Sequence, residues 1–180
     1  MGGWTVARTA LAMLLTLGAC GAPQVSHGDD VAAAQTLRNV TQGALVGRHS
    51  EAGGSAWLAV PYAAPPTGDL RWRAPRPAPA WSGEREAVSY GPACPQITNA
   101  LSAAEGYDPG LLIGSEDCLT LDIYAPAGAQ AGSDLPVMVW IHGGANVWGS
   151  SHAYEGSHLA EERQVIVVAV QYRLGPLGFF

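Results

Sequence analysis

Residues 136–151 read Pro-Val-Met-Val-Trp-Ile-His-Gly-Gly-Ala-Asn-Val-Trp-Gly-Ser-Ser, and no other stretch narrows the choice of fold as far. Val137 to Ile141 is an unbroken run of apolar β-formers. That is the pattern of a strand buried on both faces, as in a parallel sheet covered by helices. The run stops abruptly at His142-Gly143-Gly144-Ala145. Two glycines directly after a buried strand permit positive φ and leave backbone N–H groups uncovered by side chains. A loop at the carboxyl end of a strand lies where open α/β sheets bind their ligands, and converging N–H groups there make a site for negative charge.

Which charge is narrowed by what the chain lacks. Gly144 and Gly149 have the spacing of a phosphate-binding P-loop, but that motif needs lysine at position 150, where this chain has Ser150. All nine basic residues are arginines, so nothing replaces the missing lysine. A dinucleotide fingerprint fails as well, because Gly143 and Gly144 have no third glycine at the required offset. His142, His152 and His158 have no cysteine or carboxylate partners at zinc-site spacing, so no metal is expected. The formal charge of −6 and the absence of a basic patch argue against nucleic acid.

The first 22 residues are expected to be a signal peptide rather than part of the fold. Arg8 and the amino terminus form a weak positive region, Thr9 to Leu17 an apolar one, and Gly18, Ala19, Gly21 and Ala22 follow as small residues. The apolar run is too short to span a bilayer as a helix. Leu17-Gly18-Ala19-Cys20 also has the form of a bacterial lipobox, so Cys20 is the expected lipidation site, with simple cleavage after Ala19 or Ala22 as the alternative. An acylated Cys20 would anchor the domain to a membrane, and either route exports it to the cell envelope or beyond. Residues 23–35 are small and polar and read as a tether, leaving 36–180 as the folded portion. In an oxidising compartment Cys94 and Cys118 remain as a pair, either bridged or as two buried thiols. A bridge would close a loop of about 25 residues, worth roughly 3 kcal/mol.

Within the folded portion, Thr36 to Ser50 reads as a pair of strands and Trp57 to Val60 as another, with Gly53-Gly54 turning between them. The prolines from Pro61 to Pro79 describe an extended surface segment, pinned to the body by Tyr62, Trp72 and Trp81. Leu119 to Tyr124 alternates apolar and polar residues and reads as a strand. Gly156 to Gln164 has the composition of a short helix with Ser157 as N-cap, and Val165 to Val170 is a second buried strand. Strand, glycine loop, helix and strand together describe a βαβ unit. The chain stops at Phe180 within an apolar passage, which suggests a truncated sequence.

The remaining candidate for the loop is an oxyanion. In acyl transfer the carbonyl oxygen gains a full negative charge, and preorganised N–H groups stabilise it. A His-Gly-Gly loop after an early strand is the oxyanion loop of lipases and esterases with the α/β-hydrolase fold. Further passages carry a resemblance to the type-B carboxylesterase and cholinesterase family from about Gly43 to Phe180. They are Val60-Pro61-Tyr62-Ala63, Leu70-Arg71-Trp72-Arg73-Ala74-Pro75, Tyr90-Gly91-Pro92-Ala93-Cys94-Pro95-Gln96, Ser115 to Tyr124, Trp140 to Ala145, and Tyr172 to Phe179.

The resemblance implies the amino-terminal part of an α/β-hydrolase fold, with a mixed, mostly parallel sheet preceded by an antiparallel strand pair. It implies hydrolysis of small carboxylic esters through an acyl-serine intermediate, without cofactor. The N–H groups of Gly144 and Ala145 would be oxyanion donors, with Gly143 giving the turn room. It also supports a Cys94–Cys118 bridge and implies a structural ion pair between Arg71 and Glu116, costly to break if buried.

Asn146 stands where the family usually has an aromatic, and Gln171 where it usually has Asn. The sequence contains no Gly-x-Ser-x-Gly, and Ser150 follows the oxyanion loop rather than a buried strand, which the nucleophile turn requires. The triad is therefore absent, and this chain alone is expected to be inactive. The alternatives are a non-catalytic binding or adhesion protein on the same fold and a non-functional truncated product.

Overall fold

A computed structural model of the chain describes Met1 and residues 35–179. The expected signal peptide apart from Met1, the lipobox with Cys20, and all of the tether but Gln35 lie outside the described residues.

Four short strands open the fold: β1 (Leu37–Val40), β2 (Gly43–Val46), β3 (Arg48–His49) and β4 (Ser55–Pro61). They are followed by β5 (Glu84–Glu86), β6 (Gln96–Ile97), β7 (Leu112–Ile113) and β8 (Thr120–Ala125). The last section contains β9 (Val137–Ile141), helix α1 (Ser157–Arg163), β10 (Ile166–Val170) and the one-turn helix α2 (Gly175–Gly178). β1 and β2 are the expected antiparallel pair, extended by β5 parallel to β2. The main sheet runs β3-β4-β8-β10-β9. It is mixed: β4, β8 and β10 pair antiparallel in turn, and β10 pairs parallel with β9. The β9–α1–β10 crossover is the βαβ unit expected from the two apolar runs, because parallel neighbours need a connection long enough to hold a helix.

The core lies on both faces of this sheet. Leu45, Trp57, Val60, Ala87 and Ala125 form one cluster, and Ala56, Leu58, Tyr124, Ala160 and Val167 form another beneath α1. Trp57 and Val60 share a face although they are three residues apart. Strand alternation forbids that unless one residue is extra. The extra residue lies in a bulge between them, where Ala59 takes a φ of 54° and donates its N–H to Asp122 Oδ1 at 2.9 Å.

β8 is the strand expected from its alternation, and its polar residues Thr120 and Asp122 are both buried, because that face meets the bulge and Ser151, whose hydroxyl donates to Asp122 Oδ2 at 2.5 Å. Two expectations are corrected. Ser157 is not the N-cap of α1. Gly156 holds that position, and both the N–H and the hydroxyl of Ser157 donate to Glu155 Oε2. β9 is not buried on both faces; among the described residues all five positions are exposed, from 41% at Met138 and Trp140 to 69% at Ile141. It is the edge strand, and β10 alone pairs with it.

The proline-rich segment is pinned by its aromatics. Tyr62 donates to the Gln171 carbonyl (2.8 Å), Trp72 to that of Pro176 (2.9 Å) and Trp81 to that of Ala44 (2.8 Å). A chain too rich in proline for ladder bonds is thus held by side-chain donors.

Candidate active site

The loop leaving β9 is shaped by where its carbonyls go. Gly143 O lies 2.9 Å from His142 Nδ1, and because a carbonyl can only accept, that nitrogen carries the proton. Gly144 O accepts from the N–H groups of both Val147 (3.0 Å) and Trp148 (3.2 Å). No cis peptide is present among the described residues, and in a trans peptide the N–H points opposite to the C=O. With both carbonyls turned inward, the following N–H groups, those of Gly144 and Ala145, face the other way. Among the described residues neither donates to a protein acceptor.

This geometry needs left-handed backbone. Gly144 has a φ of 119°, and a Cβ added to it would lie 1.8 Å from the Trp148 carbonyl oxygen, so only glycine fits. Ala145 (φ 53°) and Asn146 (φ 61°) continue the turn at some cost in strain. The glycine that gives the turn room is therefore Gly144. At Gly143, whose φ is not positive, a Cβ would meet nothing within 4 Å, so its side-chain position opens onto free space beside the loop.

Three anchors hold the loop. The buried His142 carbonyl accepts from the Tyr172 hydroxyl at 2.5 Å, and the two rings stack at 4.4 Å. The Asn146 carbonyl accepts from Gly175 N–H at 2.6 Å. Gly149 bonds through both its backbone groups to the side-chain amide of Gln96. None of these anchors was assigned a role from sequence, although Tyr172 and Gln96 lie in the passages that carry the family resemblance. Val147, Trp148, Ile97, Leu112, Leu174 and Leu177 line an open apolar groove of about 560 Å³.

Ser150 and Ser151 are both buried, at 1% and 0% exposure, and Ser151 is committed to Asp122, so neither is placed as a nucleophile.

Cys94 and Cys118 form a disulfide with an S–S distance of 2.02 Å. Both are fully buried, in a third cluster with Ala63, Leu119 and Leu174, against which Tyr172 packs. Arg71 and Glu116 form a bidentate pair, Nε to Oε2 at 2.7 Å and Nη2 to Oε1 at 2.5 Å. It is not buried: the side chains are 41% and 23% exposed, so the large penalty of a stranded buried charge does not apply.

The hydrogen bond from Arg71 holds the Glu116 carboxyl below its usual range. A depressed carboxyl contributes stability above its unfolded pKa and loses it as pH falls through the folded one. Wild type should therefore melt slightly above Glu116→Gln at neutral pH, with the difference vanishing in acid and shrinking in high salt. Melting curves across that range check this, and a difference that persists in acid would exclude the ion pair as its source.

The profile of the carboxylesterase family matches residues 34–180. Among curated relatives, the cocaine esterase of Oryctolagus cuniculus is 45% identical over 155 residues, covering 82% of this chain and 29% of the relative. Carboxylesterase 3 of Homo sapiens is 42% identical over 166 residues, covering 88% of this chain and 29% of the relative. Among solved structures, a thermophilic PNB esterase superposes with a TM-score of 0.71 at 40% identity, covering 81% of this chain and 29% of that one. A Geobacillus stearothermophilus carboxylesterase gives 0.65 at 36% identity, covering 80% of this chain and 28% of that one. The chain thus spans less than a third of the relatives it matches, and their fold is that of its own mixed sheet. With a family match over residues 34–180 and a fold shared with solved esterases, this chain belongs to the carboxylesterase family.

Proposed function

We propose that these residues are the amino-terminal portion of a serine carboxylic ester hydrolase, and that they supply its oxyanion loop. The observation that carries this reading is the pair of outward N–H groups at Gly144 and Ala145, with no protein acceptor among the described residues and with their carbonyls held on the opposite side. In ester hydrolysis a serine hydroxyl gives its proton to a general base as its oxygen bonds to the carbonyl carbon and the carbonyl π electrons move to the carbonyl oxygen. That oxyanion then collapses, the bond to the alkoxy oxygen breaks, the base returns the proton to the departing alcohol, and an acyl-serine is left for water to cleave. Two donors that need no reorganisation suit such a transient charge better than a permanent one. Small-molecule esters are the substrate class of the esterase relatives and are assigned here on that likeness. The serine, acid and histidine are assigned to sequence after Phe180, and no cofactor takes part. Residues 1–22 are assigned to export, with Cys20 lipidated and residues 23–35 as the tether to the cell envelope.

Sequencing the gene beyond Phe180 and assaying its product on a p-nitrophenyl ester tests this. A downstream Gly-x-Ser-x-Gly and hydrolysis by the longer product are expected, with the 180-residue chain at background. Hydrolysis by the 180-residue chain would overturn the assignment of the nucleophile. A different residue at the centre of the motif would make the protein a binder on the same fold.

A further inference from the structure

We propose that Gln96 is a positioning residue for the 143–149 loop: by gripping both backbone groups of Gly149, its side-chain amide fixes the Gly143–Gly144 peptide and so the direction of the Gly144 N–H. The inference rests on the reading of this loop as an oxyanion site.

Gln96 lies in β6, far outside the loop, and is 8% exposed. Its Oε1 accepts from the Gly149 N–H at 2.7 Å, and its Nε2 donates to the Gly149 carbonyl at 2.9 Å. The same Nε2 donates to the Cys94 carbonyl at 3.2 Å. The amide has only one orientation that satisfies all three, since the two carbonyls accept and the N–H donates. Gln96 therefore acts as a short strand would, pairing with a single residue of the loop, and it is itself anchored beside the disulfide.

Gly149 passes this constraint on. Its φ is 115°, and a Cβ on it would lie 2.6 Å from both Gly143 O and His142 Nδ1. The backbone at Gly149 is thus packed against the one carbonyl whose direction sets that of the Gly144 N–H. If Gly149 is released, the Gly143 carbonyl loses the backbone it rests on and keeps only the hydrogen bond from His142 Nδ1, so the peptide plane is less firmly held. Tyr172 and Gly175 hold the beginning and middle of the loop, but neither touches this plane from the Gly149 side.

The test uses the complete protein and two variants. Gln96→Ala removes the grip, and Gln96→Met keeps side-chain bulk without the bonds. Hydrogen exchange followed by mass spectrometry should show faster exchange in peptides covering 142–149 and unchanged exchange in β10. kcat per titrated active site should fall by about 10²-fold with KM little changed, as expected for a misplaced catalytic group. Affinity for a trifluoromethyl ketone, which forms a tetrahedral oxyanion, should fall in parallel. Loop exchange and kcat both at wild-type values would overturn the proposal. So would exchange raised equally in β8, β10 and the loop in both variants, since that describes general destabilisation. If the wild-type protein hydrolyses no ester, the exchange arm still decides: acceleration confined to the loop supports the positioning role while removing the esterase reading.

Discussion

Replacing Gly144 by alanine in the complete protein is expected, on the proposed esterase function, to lower kcat by about 10²–10³-fold, the effect of losing one oxyanion donor. The new methyl carbon would sit 1.8 Å from the Trp148 carbonyl oxygen and 2.7 Å from its carbon. Both are backbone atoms, so no side chain can swing aside to make room. The turn closed by Gly144 O on Val147 and Trp148 must open, and the N–H groups of Gly144 and Ala145 move with it. KM should change little, because donors aimed at a developing charge act on the transition state more than on the bound ester. Steady-state kinetics normalised to titrated active sites check this. An unchanged kcat in a folded variant would place the oxyanion elsewhere. Ala145→Pro deletes a donor more directly but is a less clean test: proline requires a φ near −65°, and the loop holds 53° there.

Removing the disulfide with Cys94→Ala/Cys118→Ala should cost about 3 kcal/mol of unfolding free energy in chain-entropy terms. The bridge spans a sequence separation of 24 and is wholly buried among Ala63, Leu119 and Leu174, so truncating both sulfurs also leaves a void. Urea unfolding of wild type and the double variant measures the difference. Reductant should weaken the wild type and leave the double variant unchanged. Free thiols at Cys94 and Cys118 in the native protein would refute the bridge.

Several features were legible from residues alone. The apolar runs at 137–141 and 165–170 and the helical composition between them are local signals, and they produced β9, α1 and β10 at nearly the expected bounds. The Gly-Gly pair announced a left-handed turn, though not which glycine carried it. The structure assigns that to Gly144, because only there does a carbonyl fill the Cβ position. The alternation in β8 announces a strand but not the surroundings of its polar face, where Asp122 is 1% exposed. Alternation reports two different faces, and a buried polar partner such as Ser151 satisfies it as well as water does.

Local chemistry therefore determined β9, α1, β10 and the presence of a glycine turn, because each depends on backbone preferences or residue type over a few positions. Tertiary structure decided the rest. Among the described residues of this chain, which spans less than a third of its relatives, β9 has only β10 as a neighbour, and exposure depends on which neighbours a strand receives rather than on its own apolarity. Tertiary structure also decided where the Gly144 N–H points. That direction follows from the Gly143 carbonyl resting against Gly149, and Gly149 is gripped by Gln96, 53 residues earlier in the chain. No pattern within the loop encodes a contact of that separation; it arises from the path the chain takes between the two.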